Sequence, residues 1–390
     1  MGRDIPKYKE ITLNIVLPGA EAWEGLLRHK YARWPHNTER FSDSVAVVEH
    51  TPKFLIGPTD RFFCMGSCFA RNVEEHLIYN RIRVLSRQIV SPASEWGGAR
   101  INGFINKFTT LSMLNELDWL VTRPEINEDL FESTGEGWRD LQLSTGAPAV
   151  SLERAIERRT YLIDDYFARI RTANVIVLTL GLNETWFDTR TQRYLNEAPT
   201  HSSVRRSPDR YQIAITDVAA NIEALERVYA RLTCLNPTIR VIITVSPVPM
   251  FATFSGRDVA VANTYSKSVL RAAAEAIAAN NPLVDYFPTF DMVSLSPRNV
   301  AYGPDCLHVS DRVVGILIRY FLKLYTGLEP VSADFSEVAY LAANADVEEA
   351  VRSGKLDSGF DHWTLYGQHE GRQMRPARGE KLELVSIAGA

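Results

Sequence analysis

The chain has little of what marks secreted or metal-binding proteins. It contains only four cysteines among 390 residues, at positions 64, 68, 234 and 306, and they lack the paired spacing of a zinc site. A disulfide framework is not indicated either, because such frameworks occur in short, cysteine-dense chains. We expect buried, reduced thiols, no metal ion and no cofactor.

The chain also lacks a strong excess of charge and any long apolar run. Its formal net charge is -4 at pH 7, and its basic residues are scattered among acidic ones, which argues against a nucleic-acid partner. No uninterrupted apolar segment reaches the roughly 18 residues that a membrane span needs, and the first residues lack the apolar core of a signal peptide. We expect a soluble, cytoplasmic protein of undetermined oligomeric state.

Hydrophobic residues make up 45% of the chain, which suffices for one large globular domain with appendages. Residues 1–58 show no sustained periodicity and are predicted to form an N-terminal arm. Residues 59–328 are predicted to form the main domain, followed by a small helical appendage over 334–376. Residues 377–390 are expected to be a flexible tail.

Apolar runs typical of strands alternate with helical patterns in the main domain. The predicted strands are 61–66, 82–86, 174–180, 240–246 and 284–288. The predicted helices are 68–79, helices within 104–122 and within 151–172, and then 212–234, 260–280 and 311–326. Because strands 174–180 and 240–246 are apolar almost throughout, both of their faces should be covered. This order of strands and helices predicts an α/β fold with a parallel sheet, namely a three-layer α/β/α sandwich.

Ser67 lies where the first predicted strand passes into a helix. Gly66 can supply the permissive backbone of a sharp turn, and the N–H groups at the start of the helix favour a developing anion. This position would present Ser67 as a nucleophile beside part of an oxyanion hole. The alternative is an ordinary N-cap serine, which is common at such a junction.

Asn183 follows the strand 174–180. Its amide N–H₂ would point at the same oxyanion, while Gly181 would let substrate approach the backbone. The alternative for Asn183 is an Asx turn that leaves the strand.

Asp305 precedes His308 by three residues. In a tight turn its carboxylate would hold one ring nitrogen of His308 and leave the other to face Ser67. The alternatives are a helix cap by Asp305 and a surface histidine.

The pentapeptide Gly66-Ser67-Cys68-Phe69-Ala70 resembles the signature of the GSCFA domain family. The resemblance covers roughly residues 58–326, and the ordered agreement of several blocks is specific where each block alone is not. The other matching blocks are Thr179-Leu180-Gly181, Thr244-Val245-Ser246-Pro247-Val248, Asn263-Thr264-Tyr265-Ser266-Lys267, Tyr286-Phe287-Pro288 and Asp305-Cys306-Leu307-His308.

The GSCFA family in turn resembles the SGNH hydrolases, whose four blocks supply a serine nucleophile, a glycine N–H, an asparagine and an Asp-x-x-His pair. The resemblance implies a sandwich of the SGNH or flavodoxin type. It assigns the nucleophile to Ser67, the oxyanion amide to Asn183, and the orienting acid and base to Asp305 and His308.

The glycine block is assigned to Gly103, with Gly97 or Gly98 as alternatives. Two departures from the SGNH pattern are the cysteine at position 68 and the glutamate at position 184, where the larger group has acidic residues and aspartate, respectively.

The resemblance implies a Ser-dependent esterase or O-acyltransferase that acts on acyl esters, with acetyl expected, of a bacterial carbohydrate or polysaccharide. Two alternatives stay open. One is a catalytically silent carbohydrate-binding or scaffold protein on the same fold, and the other is an acyltransferase that depends on Cys68. Because Cys68 follows Ser67 in the helix, its side chain should point about a third of a turn away, into the core.

A few further residues have weaker assignments. Asn263 and Lys267 resemble a family block and are placed near the site, although Asn is also an ordinary capping residue. Trp186 would line an acyl or sugar pocket or else belong to the core. The appendage resembles a module found beside bacterial polysaccharide enzymes, and its His362 and His369 are interpreted as structural rather than metal-binding.

Overall fold

The computed structural model describes residues 17–34, 41, 44–95, 102–327, 335–353, 355–356 and 358–375. The predicted tail and the two alternative glycines, Gly97 and Gly98, lie outside the described residues.

The elements follow the alternation that the sequence predicts. The strands are β1 (Arg61–Gly66), β2 (Arg83–Val84), β3 (Glu132–Thr134), β4 (Gly137–Arg139), β5 (Val175–Leu180), β6 (Glu184–Asp188), β7 (Arg193–Leu195), β8 (Tyr211–Ile215), β9 (Arg240–Val245) and β10 (Val284–Tyr286). The helices are α1 (Gly19–Arg28), α2 (Cys68–Tyr79), α3 (Thr110–Thr122), α4 (Leu152–Tyr161), α5 (His201–Arg206), α6 (Val218–Leu235), α7 (Val259–Asn280), α8 (Thr289–Leu295), α9 (Arg298–Ala301), α10 (Asp311–Thr326), α11 (Glu337–Ala343), α12 (Ala345–Arg352) and α13 (Gly359–His362).

The central sheet has five strands in the order β10-β9-β5-β1-β2. Each neighbouring pair is parallel, and Gly66 at the end of β1 lies beside Thr179 of β5, which lies beside Thr244 of β9. The carboxyl ends of these three strands therefore meet at one edge, where open α/β sheets place their ligands.

Helices cover both faces of this sheet. Phe63 and Met65 of β1 enter one core together with α3, α6 and α7, while Phe62 and Cys64 enter the opposite core together with α2 and α10. Successive side chains of a strand point to opposite faces, so an apolar run such as β1 must be covered twice. The predicted three-layer α/β/α sandwich is confirmed.

A second, antiparallel sheet of β7, β6 and β8 follows β5 along the chain. The sequence prediction was wrong here, because it began a helix at residue 212 where the structure has β8. Residues 211–215 pair with β6, and α6 begins only after Asp217, whose carboxylate accepts a hydrogen bond from the Ala220 amide at 2.9 Å. Pairing across the sheet overrides the local helical pattern.

Two other predicted elements are shorter or less regular than expected. The strand predicted over 82–86 is β2 followed by a 3₁₀ turn, Leu85–Arg87. The helix predicted within 151–172 is α4 continued by a π-helical turn, Leu162–Tyr166, and a 3₁₀ stretch, Phe167–Thr172.

The segments on either side of the main domain contact it. In the N-terminal segment, the Ala46 amide donates to Ser296 Oγ at 2.8 Å and the Ile56 amide to the Tyr325 carbonyl at 2.8 Å. In the C-terminal unit, α11 to α13 and Phe335 pack around Tyr79 at the end of α2. No helix of the described residues is long and apolar enough to cross a membrane.

Candidate active site

The turn that holds Ser67 is shaped by Gly66. Gly66 has a φ of 155°, and a Cβ there would lie 2.6 Å from both Cβ and O of Thr179 on β5. Only a residue without a side chain lets β1 approach β5 at this point. Ser67 then caps α2, its Oγ accepting a hydrogen bond from the Phe69 amide at 3.4 Å, and it is buried.

A loop between α2 and α3 runs against this turn. The Lys107 amide donates to the Gly66 carbonyl at 2.8 Å, and the Phe108 carbonyl accepts from the amides of Gly181 and Leu182 at 3.1 and 2.8 Å. A Cβ on Gly181 would lie 2.8 Å from that same carbonyl. Gly181 therefore accommodates the Phe108 backbone, which corrects the expectation that it admits substrate.

Asn183 is buried and held on three sides. Its backbone N–H donates to Ser266 Oγ at 3.0 Å, and its backbone carbonyl accepts from the Thr216 backbone N–H at 2.9 Å. Its side-chain Nδ2 donates to the Thr216 carbonyl at 2.8 Å. The side chain thus bridges to another loop instead of closing an Asx turn of its own. One hydrogen of Nδ2 is used by Thr216, and the second has no partner among the hydrogen bonds of the described residues.

Asp305 and His308 lie on a tight turn before α10. Asp305 Oδ2 contacts His308 Nδ1 at 2.6 Å, and Oδ1 accepts from the amides of Leu307 and His308 at 3.0 Å each. Burial on its own would raise the pKa of Asp305, but the His308 ring and the two amides stabilise the carboxylate and lower that pKa to about 2. Asp305 is therefore ionised at neutral pH.

The structure does not join the serine to the histidine. Among the hydrogen bonds of the described residues, Ser67 Oγ has the Phe69 amide as its partner and His308 Nε2 has none. The His308 side chain is 59% exposed and that of Asp305 is 43% exposed. Contacts between a catalytic serine and its base are often long before substrate binds.

A comparison with protein-family models covers the part of the chain that holds these residues. A model of the GSCFA family matches residues 61–321, well over half of the chain, from the first residue of β1 into α10. The chain belongs to the GSCFA family. The signature of this GSCFA protein, residues 66–70, is the turn from β1 into α2.

Other comparisons are distant. Among solved structures, this GSCFA protein is similar to a "Clostridium thermocellum family 3 carbohydrate esterase", with 8% sequence identity and a TM-score of 0.28 over 68% of this chain and 94% of that one. A likeness this distant says nothing about activity. No curated protein matches the chain.

Gly103, the predicted glycine donor, opens the 3₁₀ turn Gly103–Ile105. Its carbonyl accepts from Ser144 Oγ at 2.8 Å, and the preceding Asn102 donates to Glu74 of α2 at 2.7 Å. The backbone N–H of Gly103 has no partner among the hydrogen bonds of the described residues. The turn is thereby tied to the helix that Ser67 begins.

One face of α7 in this GSCFA protein supports the loops at the sheet edge. Asn263 Oδ1 accepts from the Met250 amide at 3.0 Å, Ser266 Oγ holds Asn183, and Lys267 Nζ donates to the Gly181 carbonyl at 2.7 Å. The sequence prediction named all three residues in one matching block but placed only Asn263 and Lys267 near the site. The i+3 position of Ser266 from Asn263 was the signal that could have added it.

The cysteines differ from the prediction in part. All four lie within the described residues and none forms a disulfide, but Cys234 and Cys306 are exposed, so the expectation of buried thiols is wrong for them. Cys64 is buried in β1, whereas Cys68 is only half-buried and acts electrostatically on Lys267. Cys68 is thus less buried than the sequence suggested.

Glu184, one of the departures from the SGNH pattern, holds the loop after β9. Its Oε1 accepts from the Thr253 hydroxyl and its Oε2 from the Phe254 amide at 2.8 Å. Phe254 in turn packs edge-on against Trp186, with 5.0 Å between ring centroids. Trp186 also packs against a small hydrophobic cluster of Leu141, Leu195 and Tyr211, outside the two cores of the central sheet, as the core alternative for this residue predicted.

The described residues contain no group of three or more His, Cys, Asp or Glu side chains that would hold a metal ion. In the C-terminal unit, His362 Nδ1 is hydrogen-bonded to the Tyr340 hydroxyl at 2.8 Å.

Proposed function

We propose that this GSCFA protein is a Ser-dependent esterase or O-acyltransferase of SGNH type that acts on acyl esters, acetyl esters first, of a carbohydrate. The observation that carries the proposal is the contact of 2.6 Å between Asp305 and His308 Nδ1, which leaves Nε2 as a base on the same domain as the helix-capping Ser67. Nucleophile, base and orienting acid are the three parts that such chemistry needs.

The reaction follows from these positions. Ser67 Oγ attacks the ester carbonyl carbon as its proton passes to His308 Nε2, and Asp305 stabilises the imidazolium that forms. The negative charge moves to the carbonyl oxygen, where Asn183 Nδ2, the Gly103 N–H and the N-terminus of α2 stabilise it. The C–O bond to the alcohol then breaks and His308 returns the proton to the leaving oxygen.

The acyl-enzyme is resolved by a second hydroxyl. Water or a sugar hydroxyl gives its proton to His308 and attacks the acyl carbon. The bond from Ser67 Oγ to that carbon then breaks as His308 returns the proton to Oγ, which yields either an acid or a new ester. Phe251 and Phe254 are exposed, and the Phe254 amide is bound by Glu184, which follows Asn183. These rings support a carbohydrate as the alcohol, since apolar sugar faces pack on aromatic rings. We place the reaction on a bacterial polysaccharide or its precursor in the cytoplasm.

The test combines turnover with covalent labelling. Wild type should hydrolyse p-nitrophenyl acetate and react with a fluorophosphonate at Ser67, as located by peptide mass spectrometry. Ser67→Ala should lose both. Ser202→Ala, which removes an exposed hydroxyl on α5, should retain both. A Ser67→Ala protein that turned over acyl esters as fast as wild type would overturn the proposal.

A catalytically silent carbohydrate-binding protein is the second candidate, favoured by the N-cap bond of Ser67 and the absence of a bond between Ser67 and His308 among the described residues. It predicts no labelling by the fluorophosphonate. A third candidate is an acyltransferase that uses Cys68 as its nucleophile. The Cys68→Ala variant distinguishes it from the main proposal, because this variant should remain active if Ser67 is the nucleophile.

A further inference from the structure

Lys267 is a buried lysine without a carboxylate partner. Its side chain is 1% exposed, and among the described residues its Nζ makes one hydrogen bond, to the Gly181 carbonyl at 2.7 Å. An ammonium has three N–H donors, so two remain unused. Burying a charge in this way is unfavourable unless something compensates for it.

The other fully buried lysine in the described part of the chain shows what a structural lysine looks like in this fold. Lys107 is paired with the carboxylate of Glu116 and donates to the Gln142 carbonyl. Glu116 is also bound by Arg159 at 2.8 Å, which completes a buried ion network. Lys267 has no such network among the described residues, and this contrast marks it as a functional rather than a structural cation.

The surroundings of Lys267 are parts of the proposed site. The hydrogen bond to Gly181 fixes the turn that carries Asn183 two residues later. Among the described residues, the side chain that acts electrostatically on Lys267 is that of Cys68, which follows Ser67 directly. Two further side chains at the same strand ends, Thr179 and Ser246, bury hydroxyls for which the described residues supply no hydrogen-bond partner.

We propose that Lys267 is a positioning residue of the acyl-transfer site, whose ammonium holds the Gly181 turn and whose charge favours the oxyanion formed at Ser67. This rests on the proposed function. The ammonium lies in a water-poor region, where a fixed charge acts more strongly than in water. Its contribution grows as negative charge develops, so its loss should lower kcat more than it raises KM.

The protonation of Lys267 makes the inference measurable. Burial lowers the pKa of Lys267 to about 7, although the electrostatic effect of Cys68 raises it. A lysine must be charged to act in this way, so kcat of the wild type should fall as pH rises through about 7. Cys68→Ala removes the contribution that raises the pKa and should move this descending limb to lower pH.

The experiment measures kcat, KM and the pH profile with p-nitrophenyl acetate. Lys267→Gln keeps a donor but no charge and should lose about 10²-fold in kcat, as for the removal of an oxyanion donor. Lys267→Arg keeps the charge, should retain more activity than Lys267→Gln, and should lack the descending limb. Lys323→Gln, at an exposed position on α10, is the control and should behave as wild type.

Two failures are distinguishable. If Ser67→Ala is inactive while Lys267→Gln retains the wild-type kcat and limb, the role of Lys267 is wrong and the proposed function stands. If Ser67→Ala is as active as wild type, the proposed function is wrong and the role of Lys267 falls with it. The pH profile of the wild type alone is a further test. If its kcat does not fall around neutral pH, the inference is also wrong.

Discussion

The Asp305 carboxylate holds His308 twice, through the ring Nδ1 at 2.6 Å and through the backbone amide at 3.0 Å. The intervening Cys306 has a φ of 55°, which turns the chain so that the amides of residues 307 and 308 point back at Asp305. Orientation of the imidazole is therefore built into four consecutive residues. Two bonds from outside these residues also hold the turn, from Arg298 Nη2 to the Cys306 carbonyl and from the Gly303 amide to the His308 carbonyl, at 2.9 Å each.

Asp305→Asn should lower kcat by about 10²- to 10⁴-fold, because an amide no longer fixes the Nδ1–H tautomer or stabilises the imidazolium. Steady-state turnover of p-nitrophenyl acetate measures the loss. Asp311→Asn, a neighbouring exposed carboxylate on α10, is the matched control and should leave kcat unchanged. A fully active Asp305→Asn protein would argue against His308 as the base.

The low pKa of Asp305 makes a separate prediction for pH. The pKa of Asp305 in the folded protein, about 2, is below the ordinary pKa of an aspartate. Its carboxylate therefore stabilises the fold at pH values above that ordinary pKa, and this stabilisation is lost as the pH falls toward 2. Its exposure keeps this stabilisation small. Protonation of Asp305 should therefore not lower the turnover of the wild type near pH 4. The pH profiles of wild type and Asp305→Asn should not differ by a decline at that pH.

Cys306 occupies a backbone conformation that suits glycine and asparagine and that β-branched residues avoid. Cys306→Gly should keep kcat within about twofold of wild type, since the turn survives. Cys306→Val should lower kcat by about tenfold or more through misplacement of His308. Equal activity of the two variants would mean that the turn is not needed for the reaction.

Gly66→Ala should destabilise the protein by about 3 kcal/mol, because a Cβ would meet the Thr179 backbone of β5 at 2.6 Å. Urea unfolding followed by circular dichroism measures the change. Gly25→Ala is the control, since a Cβ there has nothing within 4 Å and lies in a helix. Its expected effect is neutral or slightly stabilising.

Glu337 should make the C-terminal unit sensitive to pH. Burial and the negative charge of Glu75 raise the pKa of Glu337 to about 7, while Arg87 and the amides of Gly359 and Phe360 lower it. The pKa of Glu337 in the folded protein thus lies above the ordinary pKa of a glutamate. Its protonated form therefore stabilises the fold fully at pH values below that ordinary pKa, and this stabilisation is lost as the pH rises toward 7.

Limited proteolysis of the full chain tests this prediction. Cleavage within α11 to α13 should increase from pH 5 to pH 8 in the wild type. Glu337→Gln, which cannot ionise, should show a flatter dependence. A wild-type cleavage rate that does not change over this range would contradict the prediction.

Local patterns explain which elements were predictable. The bounds of α10 follow from its amphipathic period, from Ser310 before it and from Gly327, which ends it in a left-handed conformation. The strand β8 was missed because its partner β6 lies more than twenty residues earlier, so nothing within residues 211–215 reports the pairing.

The same distinction separates the site residues. Asp305 and His308 were predictable as a pair because they interact within one turn of chain. The role of Gly181 was not, because the Phe108 carbonyl that it accommodates belongs to a distant loop. Nor did the sequence indicate that Lys267 lies buried without a carboxylate while Lys107 is paired.

The sequence by itself determined the alternation of strands and helices, the turn at Gly66 and Ser67, and the pairing of Asp305 with His308. These depend on periodicity and on neighbours within a few residues. Only the tertiary structure decided that β1, β5 and β9 end together and that α7 braces their loops through Asn263, Ser266 and Lys267. It also decided that Lys267 is buried with no carboxylate partner among the described residues. Those contacts join residues that are dozens of positions or more apart, and the packing of the sheet and its two helical layers brings them together.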